Sequence, residues 1–181
     1  LQKSLLSYGI TSFVAHEDIE PSKEWQSEIE IALKTMDGLA ALLTPGFHES
    51  KWTDQEVGVA IGRSVPILSI RYGLDPYGFI GKYQGIQGSG KDLKQISKAI
   101  LMVLLKNENS QHKMVHGLVH SFIESESFAE SKEKIGLIEE APYLSMDLIQ
   151  MIENSIKENS QVRGSWGVPE SIKALKNKFM G

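Results

Sequence analysis

The sequence predicts an open α/β domain over residues 1–106, followed by an all-α region over residues 107–181. In the first part, short apolar runs alternate with amphipathic stretches, which is the pattern of βαβ units that build a parallel sheet. In the second part, apolar residues recur at helical spacing after Ser or Pro residues that commonly begin helices. With 181 residues, 41% of them hydrophobic, the chain can bury a sizeable core and still form a small second unit.

The N-terminal segment has the pattern of a helix end. Leu1–Tyr8 is followed by Gly9, a residue type that is favoured where helices terminate. A helix that leads into a central parallel strand normally follows a strand of its own. We therefore expect the first strand of the sheet to be missing from this sequence.

Three nearly continuous apolar runs are predicted to be strands: Thr11–Ala15, Gly38–Leu43 and Val65–Ile70. Such runs are typical of strands covered by helices on both faces, so central positions in the sheet are expected. Lys23–Met36 is predicted to be a helix because its apolar residues recur at steps of three and four. A second helix is predicted to run from a Ser50 cap to about Arg63.

The rest of the chain is predicted to be one loop and a series of helices. Residues 71–90 contain six glycines and are predicted to form a long ordered loop beside the functional edge of the sheet. An apolar helix is expected over Lys91–Lys106. Further helices should begin near Ser127, Ser145 and Pro169.

The composition excludes several classes of function. The formal net charge of −4 gives no basic surface for binding nucleic acid or an anionic membrane, and neither is expected as a partner. The absence of cysteine excludes disulfides, thiolate metal sites and a cysteine nucleophile, and it fits a reducing compartment. No apolar run approaches the roughly 20 residues that span a bilayer. A cytoplasmic location is therefore expected.

Polar side chains follow the first two predicted strands, and Trp52 and Glu56 begin the next helix. The carboxyl ends of parallel strands meet at one edge of a sheet, where ligands bind. Trp52 and Glu56 are spaced i and i+4, so they should be neighbours on one helix face. An aromatic ring beside a carboxylate suits a sugar or nucleoside. The alternative is that Trp52 belongs to the core and Glu56 is a solvated surface acid.

A single carboxylate suits cleavage of a glycosidic bond through a transition state that resembles an oxocarbenium ion. The nicotinamide of NAD⁺ is already cationic and departs neutral without a general acid. One carboxylate can therefore suffice for NAD⁺, where ordinary glycosidases need two.

Three stretches then follow one another in a recognisable order: FVAHEDIEPSKEW, ALLTPGFHES and KWTDQEVGVAIGRSVPILSI. Together they resemble the Toll/interleukin-1 receptor (TIR) domain, particularly its bacterial members, over roughly residues 1–87. The resemblance implies a flavodoxin-like open parallel sheet, with the family's BB loop at residues 16–23. It implies that Glu56 is the catalytic residue of a Trp-x-x-x-Glu motif. Trp52 and, more loosely, Trp25, Asp18 and Glu20 would bind the substrate.

The resemblance further implies an NAD⁺ glycohydrolase or ADP-ribosyl cyclase that needs no metal and no cofactor, since NAD⁺ is the substrate. Many bacterial members of this kind act in antiphage defence, as in Thoeris systems, where a separate effector responds to a cyclic ADP-ribose signal. TIR-to-TIR contacts imply a homo-oligomer. The main alternative is a non-enzymatic scaffold. A nucleoside-transferring enzyme would need a second acid or a nucleophile that the sequence does not show.

A histidine stripe in the helical region resembles a metal site. His112, His116, His120 and Glu124 recur every four residues, and two histidines one turn apart are a familiar zinc-ligand pattern. Apolar residues occupy the other side of the same helix. The stripe is therefore interpreted as a solvated or partner-facing flank.

Residues 85–92 come within one residue of a P-loop. Asp92 stands where a Ser or Thr would coordinate magnesium, and the motif follows a loop-like run in place of a buried strand. Ser89 or Asp92 is predicted instead to begin the next helix.

Overall fold

The computed structural model describes residues 1–14 and 25–180. Its sheet contains three parallel strands in the order β1 (Leu39–Leu43), β2 (Ile67–Arg71) and β3 (Ile86–Gln87). Leu39 pairs with Ile67 at one end of the β1–β2 ladder, and Leu43 pairs with Arg71 at the other. The open parallel α/β fold and the strands expected near residues 38–43 and 65–70 are confirmed.

Helices flank the sheet and make up the whole region after it. They are α1 (Gln2–Leu6), α2 (Trp25–Thr35), α3 (Thr53–Gly62), α4 (Leu93–Lys106), α5 (Gln111–Ile123), α6 (Phe128–Glu139), α7 (Met146–Glu158), α8 (Ser160–Arg163) and α9 (Val168–Met180). Short 3₁₀ turns occur at Phe47–Glu49 and Gly78–Ile80. The predicted all-α C-terminal region is therefore confirmed.

Local capping explains where several helices begin. Ser127 and Ser145 each accept a hydrogen bond from the backbone N–H three residues later, which satisfies one unpaired amide of the first turn. Asp92 caps α4 in the same way, and the Gln95 side chain accepts a hydrogen bond from the Asp92 backbone N–H in return. Each of these caps was expected from the sequence.

Three details of the strand predictions are wrong. The described part of the first predicted strand, Thr11–Val14, forms no strand, and the side chains of Phe13 and Val14 are 41% and 40% exposed. No strand lies beside this segment within residues 1–14 and 25–180, so it has no ladder to join. For the same reason β1 is an edge strand of the described sheet and not a central one. The predicted loop over residues 71–90 contains β3, which extends the sheet beyond β2.

One hydrophobic core runs from the sheet into the helical region. Ile70 of β2, Leu101 of α4, Leu118 of α5 and Ile138 of α6 are fully buried in the same cluster, together with Tyr8 of the N-terminal segment. The division into residues 1–106 and 107–181 stays a prediction. The buried packing is continuous across it.

The N-terminal segment and α5 approach each other through two glycines. A Cβ atom on Gly117 would lie 2.6 Å from the carbonyl oxygen of Gly9, and Gly9 itself has a φ of 77°. Both features favour glycine, because a side chain at either position would force the backbones apart. The contact joins residues 108 positions apart in the chain.

We expect Gly117→Ala to lower the free energy of unfolding by about 1 to 3 kcal/mol, because the added methyl group overpacks this contact. Gly136→Ala is the matched control, since Gly136 also lies inside a helix but a Cβ there meets nothing within 4 Å. It should be neutral or stabilising by up to about 1 kcal/mol, since alanine favours the helix. Chemical denaturation of both variants measures the difference. Equal changes in the free energy of unfolding for the two variants would contradict the close approach of Gly9 and Gly117.

Candidate functional site

The first turn of α3 is tied to the 3₁₀ turn that precedes it. The Thr53 hydroxyl donates a hydrogen bond to the Phe47 carbonyl oxygen at 2.7 Å, and Ser50 Oγ accepts one from the Trp52 backbone N–H at 3.3 Å. α3 therefore begins at Thr53, three residues after the Ser50 cap that the sequence predicts. Trp52 directly precedes the helix, whereas the sequence predicts that it lies within the first turn.

Trp52 and Glu56 nevertheless keep helical spacing. The Glu56 backbone N–H donates to the Trp52 carbonyl oxygen at 2.9 Å, which is the i to i+4 bond of an α-helix. The two side chains therefore project from the same flank of α3, one turn apart. The sequence predicts this local arrangement correctly, while the roles of both residues stay predictions.

Trp25, at the start of α2 in the described chain, lies against Trp52. Their ring centroids are 5.1 Å apart and the rings meet edge to face at 79°. The rings also remain accessible, with Trp25 48% and Trp52 37% exposed. Exposed tryptophans that contact each other present apolar surface and flat ring faces to solvent, as an aromatic binding site requires. The two tryptophans predicted for the site are thus brought together from separate helices.

The Glu56 carboxyl group is half-buried, and this burial raises its pKa above the ordinary value of 4.5. Among residues 1–14 and 25–180, no side chain forms a hydrogen bond or ion pair with it. A carboxylate in this state is poorly solvated, and no cation of the described chain pairs with it. It is therefore well suited to stabilise a positive charge that a bound molecule supplies.

The flank of α3 that bears Asp54 faces away from Glu56, since two residues along a helix correspond to a rotation of about 200°. Here the Tyr77 hydroxyl donates a 2.7 Å hydrogen bond to Asp54 Oδ1. Burial, followed by this bond and the Asp54 charge, raises the pKa of Tyr77 to about 12. A cavity of about 220 Å³ lies beside them, lined also by Val57 and Phe79. Sequence reasoning missed this contact, because no local pattern links residues 23 positions apart.

The other predicted substrate-binding residues, Asp18 and Glu20, lie outside the described residues, as does the expected BB loop at residues 16–23. Their contributions to the site stay predictions.

The histidine stripe of α5 divides into two parts. The rings of His116 and His120 have centroids 4.5 Å apart, whereas the His112 ring lies 4.9 Å from that of Tyr143. Within the described ranges, no group of three or more His, Asp or Glu side chains has the geometry to hold a metal ion. The stripe thus provides at most a pair of neighbouring imidazoles along one side of an open cleft.

The near-match to a P-loop has a structural role. β3 occupies Ile86–Gln87 within the motif, and the Gly88 and Ser89 amides donate to the Arg71 carbonyl oxygen at 2.9 and 3.2 Å. Asp92 Oδ1 accepts a 2.7 Å bond from the Gln95 N–H. The backbone amides that would cradle phosphate are therefore directed at the sheet, and the aspartate is used as a helix cap.

Open parallel α/β domains bind ligands beyond the carboxyl ends of their strands, and Glu56 lies on the helix that follows β1 at that end. A family model for the TIR domain matches residues 1–101, which is more than half of the chain. The chain therefore belongs to the TIR-domain family. No curated protein and no solved structure matches it. Within the described residues, no helix is long and apolar enough to cross a membrane.

We expect Glu56→Gln to raise the free energy of unfolding at pH 7. The pKa of Glu56 is higher in the folded protein than in the unfolded chain, so ionisation above the folded pKa costs stability. Glutamine removes that cost. The advantage should vanish as the pH falls below 4.5, where the carboxyl is protonated in both states.

Thermal unfolding of the wild type and Glu56→Gln across this pH range measures the difference. Glu108→Gln, at an exposed carboxylate in the turn between α4 and α5, is the control. A Glu56→Gln variant that is less stable than the wild type at pH 7 would contradict the burial argument.

Proposed function

We propose that this TIR-domain protein cleaves the bond between nicotinamide and ribose in NAD⁺, as a glycohydrolase or an ADP-ribosyl cyclase. The proposal is carried by one observation, the half-buried carboxylate of Glu56, which is unpaired within the described chain and lies one helical turn after Trp52. TIR domains include enzymes that cleave NAD⁺, and this chain carries the Trp-x-x-x-Glu motif of those members.

The reaction begins when the bond between ribose C1′ and the nicotinamide nitrogen breaks. The electron pair leaves with the nicotinamide, which becomes neutral, and positive charge develops on the ribosyl group. The Glu56 carboxylate stabilises that charge. Addition of water and loss of a proton then give ADP-ribose. Attack by an adenine nitrogen of the same molecule on C1′, with loss of one proton from the adenine, gives a cyclic product instead.

Trp52 and Trp25 are assigned to the binding of the substrate. Their exposed rings lie beside the start of α3, where a planar nicotinamide or adenine could stack on an aromatic face. Asp18 and Glu20 complete the proposed binding residues by family resemblance alone. NAD⁺ is the substrate in this scheme, and no cofactor or metal is assigned.

The biological setting is proposed from the family. Self-association through TIR contacts would assemble the active form in the cytoplasm. In a bacterial antiphage response, the product would then signal to a separate effector. Alternatively, the cleavage itself would deplete the cell of NAD⁺. In the alternative, a scaffold that acts through assembly alone, Glu56 has no chemical role. The half-burial of an unpaired carboxylate favours the enzyme, because a scaffold gains nothing from that electrostatic cost.

We expect Glu56→Gln to reduce the rate of NAD⁺ cleavage by about 10² to 10³, because the amide lacks the charge that stabilises the ribosyl cation. Chromatography of nicotinamide, ADP-ribose and cyclic products measures the rate and identifies the product. Glu108→Gln, a change of the same chemistry at an exposed position, should retain full activity. Equal rates for the wild type and Glu56→Gln would rule out the catalytic assignment.

We expect Trp52→Ala to raise KM for NAD⁺ by about 3- to 10-fold, the equivalent of losing one aromatic stacking contact. Trp166→Ala is the control, because Trp166 is 85% exposed in the loop before α9. Steady-state kinetics on both variants measures the change. A KM that stays at the wild-type value in Trp52→Ala would remove Trp52 from the binding site.

A further inference from the structure

We infer that Tyr77 is a positioning residue for Trp52 and Glu56, which it acts on through its hydrogen bond to Asp54. The inference rests on the proposed function, since it names the residue that sets the geometry of that site. Asp54 lies between the two site residues in sequence, two positions from each. A bond at Asp54 therefore holds the first turn of α3, which carries Glu56 and directly follows Trp52.

The hydrogen bond joins the turn to a part of the chain that does not belong to the helix. Tyr77 follows β2 by six residues, and its hydroxyl reaches Asp54 Oδ1 at 2.7 Å. A hydrogen bond to a charged acceptor is stronger than one between neutral groups. A tyrosine hydroxyl is protonated at neutral pH, and burial together with the bond to Asp54 raises the pKa of Tyr77 further, to about 12, so this donor is present under the conditions of the reaction.

Tyr77 can position another residue because it is itself held on several sides. Its ring meets those of Phe47 and His48 nearly at right angles, with centroids 6.5 and 6.4 Å away. The start of its loop is bound to the end of β1, since the Tyr72 and Leu74 amides both donate to the Leu43 carbonyl oxygen at 2.9 and 3.2 Å. Tyr77 thus fixes the start of α3 relative to the edge of the sheet.

The two flanks of α3 have different supports. On one flank, Asp54 is bound to Tyr77; on the other, Glu56 has no partner among residues 1–14 and 25–180, and Trp52 meets Trp25 edge to face. The Tyr77 bond therefore adds to the Thr53 bond in holding the first turn, and it is the contact that reaches the turn from the segment after β2. Loss of the hydroxyl would let Trp52 and Glu56 shift together without removing either group.

Three substitutions distinguish the effect of losing the hydrogen bond from the effect of changing the size of a side chain. Tyr77→Phe keeps the ring and removes the donor, whereas Asp54→Ala removes the acceptor. Asp54→Asn restores an acceptor oxygen and should rescue the effect of removing the carboxylate. Tyr83→Phe is the matched control, because Tyr83 lies in the same loop, is 57% exposed, and its hydroxyl has no partner among the described residues.

We expect Tyr77→Phe and Asp54→Ala each to lower kcat for NAD⁺ cleavage by about 10-fold, with KM changed by less than about threefold. A displacement of about 1 Å can cost about 10² in rate, while stacking on an aromatic face tolerates small shifts. Asp54→Asn and Tyr83→Phe should remain within about twofold of the wild type in kcat. The Tyr77→Phe/Asp54→Ala double variant should be no slower than either single variant, since both remove one bond.

The ¹⁵N-edited NMR resonance of the Trp52 indole N–H, identified by its loss in Trp52→Phe, provides a readout that does not depend on activity. It should shift in Tyr77→Phe and Asp54→Ala but not in Asp54→Asn or Tyr83→Phe. An unmoved resonance in Tyr77→Phe overturns the positioning role, whatever happens to kcat. If the wild type fails to cleave NAD⁺, the proposed function fails, and this resonance alone decides whether Tyr77 holds the turn.

Discussion

The parallel pairing of β1 with β2 is the constraint on which the site depends. Because both strands run in the same direction, with Leu43 opposite Arg71, the segments that follow them leave the sheet at one edge. One segment leads through the Phe47–Glu49 turn into α3, and the other carries Tyr77. The Leu43 carbonyl oxygen binds the two together by accepting the Tyr72 and Leu74 amides. The position of α3, and with it that of Glu56, follows from this edge.

The proposed chemistry requires a carboxylate in an unfavourable electrostatic environment. The half-buried carboxylate of Glu56 has no cation partner among residues 1–14 and 25–180, and a salt bridge would lower the cost of its burial. A salt bridge would also cancel the negative charge that a ribosyl cation needs. The unpaired state is thus a loss of stability that the rest of the domain must offset, as is common where activity and stability conflict.

The sequence predicts best what depends on neighbours in the chain. The i, i+4 relation of Trp52 and Glu56 and the caps at Asp92, Ser127 and Ser145 are local, so residue type and spacing suffice. The meeting of Trp25 and Trp52 is longer in range. The sequence places both residues at one sheet edge by assuming a strand before each, but the described part of the strand predicted before Trp25 does not form, so that rule does not account for the contact.

The errors concern partners that are distant in sequence. Thr11–Val14 has the composition of a strand, but a strand exists only where another lies beside it, and none does in the described chain. β3 is two residues long and rich in glycine neighbours, so only its pairing with β2 distinguishes it from a loop. The Tyr77–Asp54 bond joins side chains that no periodic pattern relates. Composition indicates which secondary structure a segment favours. Whether a partner strand or side chain lies beside that segment depends on the fold.

The packing of the N-terminal segment shows why the helical region matters to the TIR domain. Tyr8 donates a 2.8 Å hydrogen bond to Glu133 of α6, and Ser121 of α5 donates one to the Ser7 carbonyl oxygen at 2.6 Å. Together with the contact between Gly9 and Gly117, these bonds attach the segment to α5 and α6, while Ser4 Oγ donates to the Leu93 carbonyl oxygen of α4 at 3.3 Å and Tyr8 packs in the same core as Ile70 of β2. The same segment precedes residues 16–23 in the chain, where the family resemblance places the BB loop. The predicted boundary near Lys106 therefore separates two kinds of secondary structure, while the first ten residues pack against helices on both sides of it.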